Sequence, residues 1–423
     1  MQNIFALRSA LVLACLICAG CGGAPSEPPA VSGADVVRAP GVEREKPDVD
    51  RDALIQRAAA DAAFGFALQQ KLGDPETNLA VSPYSVTHAL ALAYAGARGR
   101  TREQLGRALR FPEDGEDLHP ALNALDRAIE SRDGKQTTID TANAAWGLPA
   151  YPWKGDFLEV LARHHGAGMR TVDFIRDREG AAKAIDEWVR SGTRGKIRDL
   201  FSADDFNDLT RLVLANAAYL KAQWMSRFEP DATRDRPFHA PDKTFDVPTM
   251  HDDRRAMTAE GGGWRAVELP YRDGKLAMLI VLPDRGALGE VERRLGDGLL
   301  DEIAGGLQEH LVKIALPRFR VESTLDLIPP LRELGATDAF DDDAADFTGM
   351  TEREELWIAK ARQKVFVSVD EHGTEAAAVT GLVGELQSAP PRAGPFVVDR
   401  PFLFVIRDRP TGTVLFSGRV TRP

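Results

Sequence analysis

The stretch that decides the fold lies near the C-terminus, where residues 365–381 read VFVSVDEHGTEAAAVTG. Three valines in it, Val365, Val367 and Val369, alternate with other residues, which predicts a β-strand. Small and nearly uncharged residues follow, and the next strand pattern begins only at Phe402. A loop this long inside a compact domain is usually functional or disordered.

The small-residue part of this stretch divides into two faces when it is read at the β-strand period of two. One face carries Thr374, Ala376, Ala378, Thr380 and Leu382. The other face carries Glu375, Ala377, Val379 and Gly381. We therefore predict a latent β-strand, with one face able to enter a tight interior and the other able to meet water. A merely flexible loop is the alternative, but it predicts no particular position for Glu375.

The composition of the chain is that of a soluble globular protein. It has 423 residues, of which 43% are hydrophobic and 28% charged, and its formal net charge is −11 at pH 7. These values argue against a collagen, a coiled-coil rod, a disordered chain and a polytopic membrane protein. The acidic balance also disfavours nucleic acid as the main partner, because phosphate binding needs a basic surface.

The three cysteines all lie at the start of the chain, at Cys15, Cys18 and Cys21. The folded body therefore has no disulfide framework, thiolate metal cluster or cysteine nucleophile. A basic start, a short apolar run and small residues directly before Cys21 predict an export signal. The pattern resembles a bacterial lipobox with Cys21 as the lipidated residue, although Cys18 stands where Leu is usual. The alternatives are an ordinary secretory signal and Cys15 as a weaker lipid acceptor.

We predict an export signal at residues 1–21, a flexible linker at 22–50 and one folded domain at 51–423. The linker is rich in Gly, Pro and charge and lacks apolar periodicity. In the domain, helical patterns come first and strand patterns dominate from residue 211 without regular alternation, which indicates the α+β class. A lipidated protein would lie in the cell envelope, at the outer membrane or surface, and secretion into the medium is the alternative.

Common catalytic motifs are absent from the sequence. It has no nucleophile elbow, phosphate-binding loop, dinucleotide-binding glycine motif or zinc-protease motif, so an enzyme is not predicted. The run Asp370-Glu371-His372 does not converge on a metal, because neighbours on a strand point to opposite faces. Adjacent His164 and His165 are expected at a solvated helix end. We therefore predict neither a metal nor a cofactor.

The small-residue stretch after Val369 closely resembles the hinge of the reactive loop in the serpins. The resemblance extends over nearly all of residues 51–423. Matching pieces recur in the family's order along the chain. They include residues 78–85 (NLAVSPYS), 96–101 (GARGRT), 193–197 (TRGKI), 214–224 (LANAAYLKAQW), 268–271 (ELPY), 282–284 (LPD), 316–319 (LPRF), 345–347 (ADF) and 399–404 (DRPFLF). Single pieces are weak, but this many in order are a specific signal.

The serpin resemblance implies three β-sheets, about eight or nine helices and an exposed reactive loop. It implies a serine or cysteine protease inhibitor that acts as a suicide substrate. The protease cuts the loop and forms an acyl-enzyme, and the loop then inserts into the main sheet. A non-inhibitory serpin that only binds a partner is the second hypothesis, and a hydrolase on an unrelated fold is the third. We expect a monomer. We expect no heparin-type activator, because no helix carries a run of Lys and Arg.

The resemblance also assigns roles to individual residues. The hinge that must enter the sheet comprises Glu371, Gly373, Thr374, Glu375, Ala376, Ala377, Ala378, Val379 and Thr380. Family spacing puts the reactive bond between Gln387 and Ser388, with cleavage after Leu386 as the alternative. The polar shutter, where strands part for the loop, comprises Ser82, Ser85, Asn216 and Gln363. A His is common at the position of Gln363, so its pH sensitivity would be lost here. Trp224 is expected in the core at the upper end of the sheet.

Overall fold

The computed structural model describes residues 32–112, 115, 117–149, 151–353, 356–375 and 390–423. Three groups of predicted residues lie outside the described residues. They are the lipid acceptor Cys21, the hinge residues 376–380, and the reactive-bond residues Leu386, Gln387 and Ser388.

Helices dominate the first half of the described chain, as the sequence predicts. The described α-helices of the whole chain are α1 (Arg51–Gln70), α2 (Pro83–Gly96), α3 (Gly99–Ala108), α4 (Leu118–Glu130), α5 (Gly155–His165), α6 (Arg178–Gly192), α7 (Leu288–Arg294), α8 (Leu300–Gly306) and α9 (Ile328–Glu333). Helix α2 begins directly after Ser82. The Ser82 hydroxyl accepts a hydrogen bond from the Ser85 amide, and Pro83 occupies the first helical position.

Strands are more frequent in the second half. They are β1 (Asp35–Val37), β2 (Leu79–Val81), β3 (Thr137–Gly147), β4 (Met169–Thr171), β5 (Leu212–Gln223), β6 (Arg234–His239), β7 (Thr244–Gly261), β8 (Trp264–Pro270), β9 (Leu276–Pro283), β10 (Gln308–Pro317), β11 (Phe319–Asp326), β12 (Ile358–Asp370), β13 (Gly373–Thr374), β14 (Phe396–Val397), β15 (Phe402–Asp408) and β16 (Val414–Val420). Helices and strands are not regularly interleaved, so the fold belongs to the predicted α+β class.

The described strands form two hydrogen-bonded sheets. The seven-stranded sheet has the order β1-β4-β3-β5-β13-β12-β11. The nine-stranded sheet has the order β14-β10-β7-β8-β9-β15-β16-β2, with β6 paired to β7. The resemblance implies three sheets, whereas the described strands form two, because the strands outside the seven-stranded sheet are all joined in one nine-stranded sheet. The reason is the 18-residue strand β7, which pairs with β6 at its first residues (244–249) and with β8 at its last residues (257–261).

The two sheets pack on each other through one apolar cluster. Val365, Val367 and Val369 of β12 contribute to it, as do Met278 and Ile280 of β9. The opposite face of β9 packs with α1 and α7 in a second cluster. Strand β9 is buried along its whole length, which explains its continuous apolar sequence.

The segment before α1 corrects one prediction. Residues 32–50 belong to the folded body, whereas the sequence predicts a flexible linker through residue 50. Strand β1 pairs antiparallel with β4 at the edge of the seven-stranded sheet. Arg44 donates to Asn123 Oδ1 at 2.8 Å and forms ion pairs with Asp126 and Glu130 of α4. The charge of this segment is thus used in tertiary contacts, which a local pattern does not reveal.

Candidate functional site

The upper end of the seven-stranded sheet contains a split between two parallel strands. Along their lower part, β5 and β12 pair directly, from Leu212 beside Ile358 to Tyr219 beside Phe366. Above that point β13 lies between them and pairs antiparallel with both. Thr374 is opposite Ala222 on β5 and Val369 on β12. The start of the predicted hinge therefore occupies only the top of the gap.

Thr374 is fully buried and its hydroxyl has a specific partner. The Thr374 and Tyr271 hydroxyl oxygens are 2.6 Å apart, and the Tyr271 ring stacks on Trp224 with centroids 4.7 Å apart. The Trp224 indole N–H donates to the Asp370 carbonyl at 2.9 Å. Burial raises the pKa of Tyr271 well above its ordinary value, so its hydroxyl stays protonated. Trp224 thus lies in the core at the upper end of the sheet and supports the strand turn.

Gly373 occupies a position that a larger residue could not take. Its φ is +148°, and a Cβ atom there would lie 2.1 Å from the carbonyl oxygen of Ala222. The close approach of β13 to β5 therefore requires glycine.

Glu375 directly follows β13. Its amide donates to the Ser368 carbonyl at 2.9 Å, and its φ is +46°, in the left-handed region. Its carboxylate pairs with Lys196, in the connection after α6, and its side chain is 22% exposed. Thr374 and Glu375 thus have different environments, one in the core between the sheets and the other in an ion pair near the surface.

Glu371 connects the turn after β12 to two other segments. Its carboxylate accepts a hydrogen bond from Arg318 Nε at 2.8 Å and another from the Thr233 hydroxyl. Burial raises the pKa of Glu371, but the hydrogen bonds from Arg318 and Thr233 outweigh this, so the pKa lies below its ordinary value. The residue is 3% exposed, so an ionised partner is needed to hold its charge there.

Below the split, a polar network joins the predicted shutter residues. The Gln363 amide group donates to the Ser82 carbonyl at 3.1 Å and to Asn216 Oδ1, and its oxygen accepts from the Ser82 amide at 3.0 Å. Asn216 Nδ2 donates to Ser85 Oγ at 2.7 Å. All four side chains are at most 1% exposed, so their polar atoms need these mutual contacts.

Three contacting residues are missing from the sequence prediction. Asn143 of β3 lies opposite Asn216, and its Oδ1 accepts from Ser85 Oγ at 2.8 Å, so it extends the shutter network. A lone Asn in the small apolar run TANAAW, residues 141–146, is the signal that could have identified it. Tyr271 lies in a quoted family motif, but its contact with Thr374 joins residues far apart in the chain. Lys196 gives no local signal of its pairing with Glu375.

Two negative findings apply to the part of the chain that the structure describes. No group of three or more His, Cys, Asp or Glu side chains there is arranged to hold a metal ion. No described helix is both long and apolar enough to span a bilayer.

Comparisons with known proteins agree on one family. The model of the family described as "Serpin (serine protease inhibitor)" matches residues 59–423. An uncharacterised serpin-like protein of Thermococcus kodakarensis is 38% identical over 365 residues, which cover 85% of this chain and 84% of that protein. The leukocyte elastase inhibitor of Sus scrofa is 36% identical over 382 residues, covering 88% of this chain and all of the inhibitor.

A solved structure shows the same architecture. The crystal structure of the thermophilic serpin tengpin in its native state superposes with a TM-score of 0.81 and 26% identity, covering 92% of this chain and 100% of tengpin. The family match, the two relatives and this architecture all point the same way, and the chain belongs to the serpin family.

Proposed function

We propose that this serpin inhibits a serine or cysteine protease as a suicide substrate. The observation that carries the proposal is the position of β13. Gly373 and Thr374 already pair with both β5 and β12 at the top of a gap that is closed below them. The segment that follows has the small-residue alternation of a strand able to extend this insertion.

The covalent step follows from protease chemistry. The protease nucleophile attacks the carbonyl carbon of Gln387 and the peptide bond to Ser388 breaks. The nitrogen of Ser388 leaves as an amine with the proton that the protease supplies, and Gln387 remains as an ester or thioester on the protease. Insertion of the freed hinge must then precede attack by water on this bond, because hydrolysis would release an intact protease.

The shutter contacts bear on how the insertion proceeds. A new strand below Thr374 would separate β5 from β12, which now pair from residue 212 to 219 and from 358 to 366. The Gln363–Asn216 contact crosses this seam, so it would have to open. Both side chains carry an amide that donates and accepts, so they can exchange partners with an inserted backbone. The neighbouring β5 residues Ala215, Ala217 and Ala218 place little bulk there.

A non-inhibitory serpin that binds a partner without trapping it is the second candidate. Both candidates share the family fold and lack catalytic turnover as their function. Only the inhibitor requires the hinge to enter the sheet completely after cleavage. The target protease would be its covalent partner, and no cofactor takes part.

Cleavage of the loop should make the protein far more stable. We expect a large upward shift of the thermal unfolding midpoint after limited proteolysis near residue 387, because an added central strand forms backbone hydrogen bonds on both sides. Differential scanning calorimetry of intact and cut protein measures this shift. An unchanged midpoint would favour the non-inhibitory candidate.

We also propose that the mature protein is anchored in the cell envelope by a lipid on Cys21, at the outer membrane or cell surface. The support is the small-residue pattern before Cys21 and the absence of cysteine from residues 22–423. Changing Cys21→Ser should move the protein from the membrane fraction to the soluble fraction, and Cys15→Ser is the matched control. Release by the control variant, or secretion of the unaltered chain, would contradict Cys21 as the anchor.

A further inference from the structure

Four of the eight histidines of the chain meet where three helices pack together. This histidine cluster consists of His88 on α2, His119 on α4, and His164 and His165 in the last turn of α5. His119 Nδ1 and His165 Nε2 are 3.0 Å apart, and their ring centroids are 5.2 Å apart. The His119 ring also stacks with His164 at 6.2 Å, and His88 meets His165 edge-on at 6.5 Å.

The cluster is largely closed to solvent. His88 is 5% exposed and the other three are half-buried. Neither His88 Nε2 nor His164 Nδ1 has a hydrogen-bond partner among the described residues. The expectation of a solvated helix end for His164 and His165 is therefore wrong, since α4 and α2 pack over that end of α5. The helix terminus itself is where the sequence predicts it.

The charged groups around the cluster leave little to balance an added proton. The carboxylates that act on it, Asp126 of α4 and Glu45 before α1, already pair with arginines. Asp126 also accepts from the Tyr84 hydroxyl. Four arginines act on the histidines and disfavour their charged form: Arg44 before α1, Arg57 of α1, Arg102 of α3 and Arg163 of α5.

The neutral form of these imidazoles is favoured in the folded protein. Burial, with smaller contributions from nearby His164 and Arg102, lowers the pKa of His119 to about 3. Burial also lowers the pKa of His165 well below its ordinary value, and the pKa values of His88 and His164 shift the same way for the same reason.

We propose that the histidine cluster is a pH-responsive joint between α2, α4 and α5, closed while its imidazoles are neutral and opened by protonation. Above the ordinary pKa of 6.5 the open and closed states bind the same number of protons at these sites. Below it the open state binds more, so stability is lost as the pH falls. Each histidine that stays neutral when closed shifts the equilibrium about tenfold toward opening between pH 7.5 and 5.5.

Helix α2 connects this joint to the polar network at the seam. His88 lies one turn after Ser85, whose hydroxyl bonds with Asn143 and Asn216. A shift of α2 at the cluster would therefore disturb the contacts that hold β5 against β12. Gln363 does not titrate, so the pH response of this serpin comes from the histidine cluster rather than from the position where the family often has a His.

The test compares amide hydrogen exchange of the full chain at pH 7.5 and 5.5, corrected for intrinsic exchange rates and read by mass spectrometry. The decisive variant is the double change His119→Asn and His165→Gln, which keeps an amide at each of the two facing nitrogens but cannot titrate. The matched control is His239→Gln, on β6, far from the cluster in the sequence, where ring atom Nδ1 lies 2.9 Å from the Thr244 hydroxyl.

The wild type should lose protection in α4, α5 and the last turns of α2 on acidification. The double variant should lose about 100-fold of that response, which is tenfold for each histidine removed, and the control should keep all of it. Equal protection at the two pH values in the wild type, or a full response in the double variant, would overturn the proposal. If the double variant does not fold, the wild type decides alone, because an equal loss in the histidine-free strands β15 and β16 would also overturn it.

Discussion

Changing Thr374→Arg should convert the protein from an inhibitor into a substrate of its target protease. The Thr374 side chain is fully buried and bonded to Tyr271, so an arginine there would have to bury an unpaired cation. Thr374 already lies between β5 and β12 before cleavage, so a burial penalty of about 3 kcal/mol would expel this segment from the gap in the intact variant. The same penalty would then oppose its re-entry and slow insertion about 100-fold. Hydrolysis of the acyl-enzyme would then be faster than insertion of the hinge. The ratio of covalent complex to cleaved protein on denaturing gels measures the outcome.

Two controls make this result specific to the inserting face. Thr374→Ser keeps the hydroxyl that meets Tyr271 and should trap the protease almost as the wild type does. Glu375→Gln changes a residue in an ion pair near the surface and should have little effect. The hinge account is wrong if the Thr374→Arg variant still forms a covalent complex in normal yield.

Changing Glu371→Lys should lower the free energy of unfolding of the protein by a large amount. It removes the anion that pairs with Arg318 and buries a second cation beside it. Loss of one partner of a buried ion pair costs 3–5 kcal/mol, and because Arg318 is half-exposed we expect about 3 kcal/mol. The free energy of unfolding from urea denaturation measures this value.

A milder change at the same position separates charge from hydrogen bonding. Glu371→Gln retains an oxygen for the Thr233 hydroxyl and should cost only about 1 kcal/mol. The pKa of Glu371 lies below its usual 4.5, so its contribution is complete above that pH and is lost as the pH falls through the lowered pKa. Equal effects of the Lys and Gln variants would show that the charge does not matter.

Local patterns in the sequence were sufficient to predict much of the fold. Alternation of Val365, Val367 and Val369 identifies β12, and the order of helical and strand patterns identifies the α+β class. These signals come from residues that are close together in the sequence, so they can be recognised without knowing how distant parts of the chain pack. Pairing of β1 with β4 could not be predicted the same way, because three residues carry no period and the partner is distant.

The candidate site likewise has a part that could be predicted from the sequence and a part that could not. The shutter set of Ser82, Ser85, Asn216 and Gln363 came from the family resemblance, and the structure brings all four into one network. Contacts such as Thr374 with Tyr271 and Glu375 with Lys196 join residues separated by more than a hundred positions. The histidine cluster likewise combines residues from three helices that are far apart in the chain, so no spacing in the sequence predicts it.

The most direct test of the account is incubation of purified protein with a panel of serine and cysteine proteases. We predict, for at least one protease, a covalent complex that survives denaturing electrophoresis, together with a released C-terminal fragment that begins at Ser388 by mass spectrometry. Cleavage without a complex by every protease that cuts the loop would contradict trapping by insertion.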